Sequence, residues 1–78
     1  MMFMNQKEVE RLRKRYPVGT VVMLDYMDDP YHPIPSGTTG TVEFVDDAGT
    51  IHVSWENGST LGICPEVDRF HVIRKEEA

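Results

Sequence analysis

The sequence predicts a mainly β domain with one N-terminal helix, in which five short antiparallel strands close into a small barrel. Three observations carry this expectation. After Pro17, apolar and polar residues alternate in short runs. Turn signals rich in Gly, Asn and Asp separate those runs. Before Pro17, apolar residues recur instead at helical spacing. At 78 residues the chain makes one domain with a modest core, and 40% hydrophobic with 27% charged residues is an ordinary soluble composition.

Residues 1–16 form an N-terminal segment whose helix is expected over 5–15. Asn5 is the N-cap and Glu8 occupies the capping-box position. Met4 and Val9 fall at the positions of a hydrophobic staple, and Val9, Leu12 and Tyr16 make an apolar stripe. Pro17 disfavours a helical Tyr16 and ends the element. Residues 17–73 are the expected barrel, and 74–78 a charged tail.

Val18-Gly19 turns the chain into a first strand over 20–26. Pro30, Pro33 and Pro35 remove N–H donors from residues 27–39, so this stretch reads as a long ordered loop. A second strand covers 40–45, a tight turn follows at Asp46-Asp47-Ala48-Gly49, and a third strand covers 50–55. The next hairpin has two registers. A two-residue Asn57-Gly58 loop places Leu61 and Ile63 on the polar face. A three-residue loop with Gly58 left-handed pairs Val53 with Leu61 and Ile51 with Ile63. A one-residue slip flips every side chain, so burial favours the bulged loop. A fourth strand over 59–64, a 3₁₀-like turn at 65–68 and a fifth strand over 69–73 complete the expectation. The long first loop and the turn before the last strand make the barrel SH3-like. The expected core is Val21, Met23, Val42, Phe44, Ile51, Val53, Leu61, Ile63, Phe70 and Val72. No internal repeat is evident in this reading.

Net charge is −5, unevenly spread. Residues 1–16 hold five bases against two acids, whereas residues 17–73 hold Arg69 alone against nine acids. An acidic body disfavours phosphate backbones, because nucleic-acid affinity comes largely from Lys and Arg. No apolar run approaches a membrane span, and Met1 to Met4 is too short for a signal h-region. The single cysteine, Cys64, fits a reducing cytoplasm.

No catalytic constellation stands out. Cys64 lacks a helix N-terminus to lower its pKa, although His52 and His71 are imidazoles it could meet. Ser36, Ser54 and Ser59 have no nucleophile-elbow glycines around them. Asp28, Asp29 and His32 are the densest set of metal-type ligands, but their spacing matches no EF-hand or zinc pattern. No metal and no cofactor is expected; the loop reads as solvated, with Asp as a turn former.

The blocks Arg15-Tyr16-Pro17-Val18-Gly19-Thr20, Met27-Asp28-Asp29-Pro30-Tyr31, Pro33-Ile34-Pro35, Ile51-His52-Val53 with Trp55, Asn57-Gly58-Ser59 and Val67-Asp68-Arg69-Phe70 are specific in their order and spacing. Over roughly residues 15–73 they resemble a small family of bacteria, phages and conjugative elements, known as a domain of unknown function. The resemblance implies a compact β domain, often encoded near mobile-element genes, and supplies no catalytic residues. The shorter Gly37-x-x-Gly40-x-Val42 stretch resembles the turn and strand of SH3-like barrels.

Binding is therefore expected rather than catalysis. Rigid aromatic and apolar groups give contact area at low entropic cost. Tyr26, Met27, Tyr31, Ile34 and Trp55 supply that area, and Asp28, Asp29 and Glu56 could orient a basic protein partner. The competing use of Tyr31, Ile34 and Trp55 is to pin the loop and plug the barrel end. The expected function is a non-enzymatic adaptor or modulator from a mobile element or phage, as monomer or homodimer. The rival is nucleic-acid binding through the basic helix.

Overall fold

The computed structural model describes residues 5–28 and 34–75. One helix, α1 (Gln6–Arg15), precedes four strands: β1 (Val21–Tyr26), β2 (Thr39–Val45), β3 (Ile51–Trp55) and β4 (Arg69–Arg74). The capping logic of α1 holds. Asn5 is extended (φ −74°, ψ 165°) and its Oδ1 accepts the Glu8 N–H at 3.0 Å. Glu8 reaches back to the Asn5 side-chain amide at 2.8 Å rather than to its backbone. Tyr16 N–H bonds Leu12 C=O at 2.8 Å before Pro17 ends the helix. Met4, the expected staple partner of Val9, lies outside the described residues.

Two turns share one design, and this repeat escaped the sequence reading. Pro17-Val18-Gly19-Thr20 and Pro35-Ser36-Gly37-Thr38 both read Pro-x-Gly-Thr. In each, the Thr N–H and hydroxyl bond the proline carbonyl, at 3.0 and 2.7 Å in the first and 3.1 and 2.7 Å in the second. The third residue has positive φ (Gly19 +94°, Gly37 +90°), the geometry of a type II turn, which glycine adopts without strain. Pro35 thus opens the turn into β2, while the expected loop residues 29–33 lie outside the described chain.

The sheet is antiparallel, in the order β3-β2-β1-β4. It is a four-stranded open sheet, which corrects the five-stranded closed barrel. The missing strand explains the difference. The Glu56-Asn57-Gly58 loop is bulged as expected: Trp55 N–H bonds Ser59 C=O at 2.8 Å, Gly58 N–H bonds Trp55 C=O at 3.0 Å, and Gly58 has φ +89°. Ile51 and Ile63 exchange both backbone bonds, at 2.9 and 2.8 Å, in the expected register. Between these two points Leu61 C=O accepts the Trp55 indole N–H at 2.7 Å. The carbonyl is committed to the ring, and the segment touches β3 as a bridge instead of a ladder.

The core holds Val9, Val22, Leu24, Met27, Ile34, Val42, Val45, Ile51, Val53, Trp55 and Ile63. Leu61, Phe70 and Val72 pack partly buried against it. Three expected core residues are corrected. In β1, Val22 and Leu24 are fully buried, while Val21 and Met23 are half-buried on the opposite face. The run Val21 to Leu24 is apolar on both faces, so its composition alone does not set the phase. In β2, the register with β3 shifts between Val42 and Phe44. That bulge turns Val42 and Val45 both inward and leaves Phe44 half exposed.

The helix packs on this core. Val9 is buried, Tyr16 meets Phe70 with ring centroids 5.2 Å apart, and Arg13 Nε donates to Val45 C=O at 3.1 Å. No helix among the described residues is long and apolar enough to cross a membrane.

Candidate functional site

The strand registers gather the end of β1, the start of β2, the end of β3 and the start of β4 at one end of the sheet. This end carries the sequence-predicted site. Its foundation is buried. Trp55 is 2% exposed and pairs across the ladder with Gly40. A Cβ on Gly40 would stand 2.8 Å from the indole Cε3 and 2.5 Å from Val53 Cγ1, so the missing side chain makes room for the ring. Met27 and Ile34 are buried beside the same core. These three expected contact residues therefore present little area to a partner. Tyr26, Asp28 and Glu56 are exposed, and Asp29 and Tyr31 lie outside the described residues.

Asp68 organises this end, and the sequence reading gave it no role. The residue is 5% exposed. Oδ1 accepts the Asp28 N–H at 2.7 Å and Oδ2 accepts the Cys64 N–H at 2.8 Å. One buried carboxylate thus ties the chain after β1 to the turn before β4. The clue in sequence is an acid directly after apolar Val67 and before a strand, in a turn where its oxygens can meet local N–H groups. Around it, His71 Nδ1 lies 2.9 Å from Asp25 Oδ2, and the Ser36 hydroxyl donates to Asp25 C=O at 2.7 Å. Asp25, Asp28 and Glu56 are exposed at this end, and so is Arg69, which pairs with Tyr26 across the β1–β4 ladder.

The opposite end is built differently. The Asp46 carboxylate accepts N–H bonds from Ala48 (3.0 Å) and Thr50 (2.9 Å), and His52 Nε2 lies 2.9 Å from its second oxygen. Partial burial pushes this carboxyl up, but the hydrogen bonds from His52, Thr50 and Ala48 together hold it below the usual carboxylate range. The His52 ring stacks on Phe44, centroids 4.2 Å apart and planes 8° from parallel. Arg13 reaches across from α1 to Asp47 at 2.9 Å. Between helix and sheet lies a shallow groove of about 230 Å³, lined by Arg13, Tyr16, Pro17, Val18, Phe44 and Val45.

The reactive groups are committed elsewhere. His52 and His71 engage Asp46 and Asp25, not Cys64. Burial, then the nearby Asp68 charge, pushes the Cys64 thiol up, which disfavours the thiolate. Among the described residues, no three His, Cys, Asp or Glu side chains gather as a metal-ligand group.

Fold and surface together define a small β domain, one helix on an open sheet, with a groove between them lined by Arg13, Tyr16, Pro17, Val18, Phe44 and Val45. The sequence matches the model of the family DUF4314, a domain of unknown function, over residues 5–73, and the chain belongs to that family. No curated protein and no solved structure matches it.

Proposed function

We propose that the chain is a non-enzymatic protein-binding module, an adaptor or modulator of a phage or mobile element, which docks a basic partner surface through its acidic end. The observation that carries this reading is the layering of that end. Buried Met27, Ile34 and Trp55 hold the backbone from beneath, and Asp68 stitches it, while Tyr26, Asp28 and Glu56 stay exposed. An anchor held before binding loses little entropy on docking. The exposed carboxylates of Asp28 and Glu56 outnumber Arg69 at this end and would steer a cationic surface into register. The mobile-element setting is supported by the sequence blocks that resemble proteins of phages and conjugative elements.

Affinity capture from a native host, scored by mass spectrometry, tests the reading. Tyr26→Ala combined with Asp28→Lys and Glu56→Lys changes exposed side chains only, so the melting curve stays in place. Recovery of the captured partner falls roughly tenfold or more, the loss expected for one aromatic anchor. Unchanged recovery with the triple variant overturns the proposal.

A further inference from the structure

We infer that the groove between α1 and the β2 bulge is a second docking site, which takes an acidic peptide segment carrying one large apolar side chain. The apolar floor is the first argument. Phe44 is 51% exposed and Val18 69% exposed, and both line the groove together with Pro17 and Tyr16. Phe44 is there because the β2 bulge aims it outward, and bulges commonly re-aim side chains at functional edges.

The second argument is rigidity. The His52 ring backs Phe44, and Asp46 in turn holds His52. Val18 sits in the Pro17 turn, which is fixed by the Thr20 bonds and by the bond from Gly19 N–H to Val42 C=O at 2.9 Å. Arg13 is positioned by its bond to Val45 C=O. A groove formed before its ligand arrives loses little in closing on it.

The third argument is charge. Arg13, Lys14 and Arg15 fill the last turn of α1, and the Arg15 guanidinium carbon lies 5.7 Å from the centroid of the Tyr16 ring. Arg13 already holds a carboxylate, that of Asp47, whose side chain is 97% exposed. Such an exposed pair contributes little, so an incoming Asp or Glu can replace Asp47. Asp46 is held by its own internal bonds and does not compete for Arg13. An apolar floor flanked by Phe44 and Val18 suits an apolar side chain better than a sugar-phosphate chain. This site is separate from the acidic end and stands or falls independently of it.

The test is panning of a displayed library of random twelve-residue peptides against the wild-type chain. Enriched peptides should carry Asp or Glu on both sides of a single Phe, Leu or Trp. Binding of the best peptide should weaken at least tenfold with Phe44→Ser and with Arg13→Gln. It should tighten severalfold with Asp47→Asn, which removes the internal competitor, and be unchanged by Tyr26→Ala. Each variant's melting curve is recorded; if Phe44→Ser fails to fold, Val18→Ser in the exposed turn takes its place. The inference is overturned by no enrichment over an unrelated control protein, by enrichment of basic peptides, by affinity indifferent to Phe44 and Val18, or by a duplex DNA that displaces the peptide in an Arg13-dependent way. Concentration-dependent self-association abolished by Phe44→Ser would assign the groove to a second copy and overturn it equally.

Discussion

Asp68 shows how one residue can hold an end of a small domain. Its two oxygens satisfy N–H groups of Asp28 and Cys64, which are forty and four residues away in sequence. Asp68→Ala leaves both donors without that acceptor, at about 1–3 kcal/mol for each that stays dry. The variant should unfold at a clearly lower urea midpoint with an unchanged m-value. Asp68→Asn should recover part of the loss, since an amide oxygen accepts one of the two bonds while its NH₂ faces the other donor. Equal stability of all three chains would show that water replaces the carboxylate. The companion residue is Trp55. Sequence reasoning left it open between contact surface and plug, because a tryptophan at a strand end fits both. Its partner decided the matter: Gly40, directly across the ladder, has no Cβ where the indole lies. A glycine inside a strand is a signal of close approach, and here it was readable only once the β2–β3 register was known.

The elements were legible where one face was polar and obscure where both were apolar. The bounds of α1 and β3 and the bulged hairpin followed from caps, alternation and turn chemistry. β1 did not, since Val21-Val22-Met23-Leu24 offers two equivalent faces. Asp25 was the available clue: placed outward, it carries Met23 and Val21 with it. β2 failed for a different reason. A strict two-residue period cannot bury both Val42 and Val45, and only a bulge reconciles them. The turn that follows has a pH dependence of its own. Asp46 holds a carboxyl pKa below its ordinary value in the folded chain, so it binds a proton more readily when unfolded. Its stabilising contribution is therefore complete above the unfolded carboxylate range, about 3.9, and is lost as pH falls through the lower folded value. Asp46→Asn should be less stable than wild type at pH 7, with the gap narrowing between about pH 5 and 3 in urea unfolding. A gap that stays constant across that window would mean that the turn depends on shape rather than on the charge of Asp46.

At the scale of the whole molecule, the helix and the sheet need each other. The sequence divided the chain after residue 16, because charge and periodicity both change at Pro17. Yet an isolated ten-residue helix is marginal in water, and α1 is held by what it covers. The dependence runs both ways. An open sheet of four strands has two faces, and Val9, Leu12 and Tyr16 are the part of the core that the helix supplies. Removing them uncovers Phe70, the tilted partner of Tyr16, and strands the Val45 carbonyl that Arg13 bonds. One fully buried aliphatic side chain contributes about 1.5–3 kcal/mol, and a domain of this size has a total stability of roughly 4–12 kcal/mol. The loss of one such residue, two partly buried ones and a hydrogen bond takes most of that margin. A chain beginning at Pro17 should therefore lose the sharp thermal transition of the full chain and bind a hydrophobic dye, as expected of a collapsed state without fixed packing. A closed barrel would behave differently, because it completes its core from strands alone and would melt cooperatively without α1. The same truncation thus checks the open architecture directly: a cooperative transition within a few degrees of the full chain's would show that residues 17–73 carry a complete core of their own.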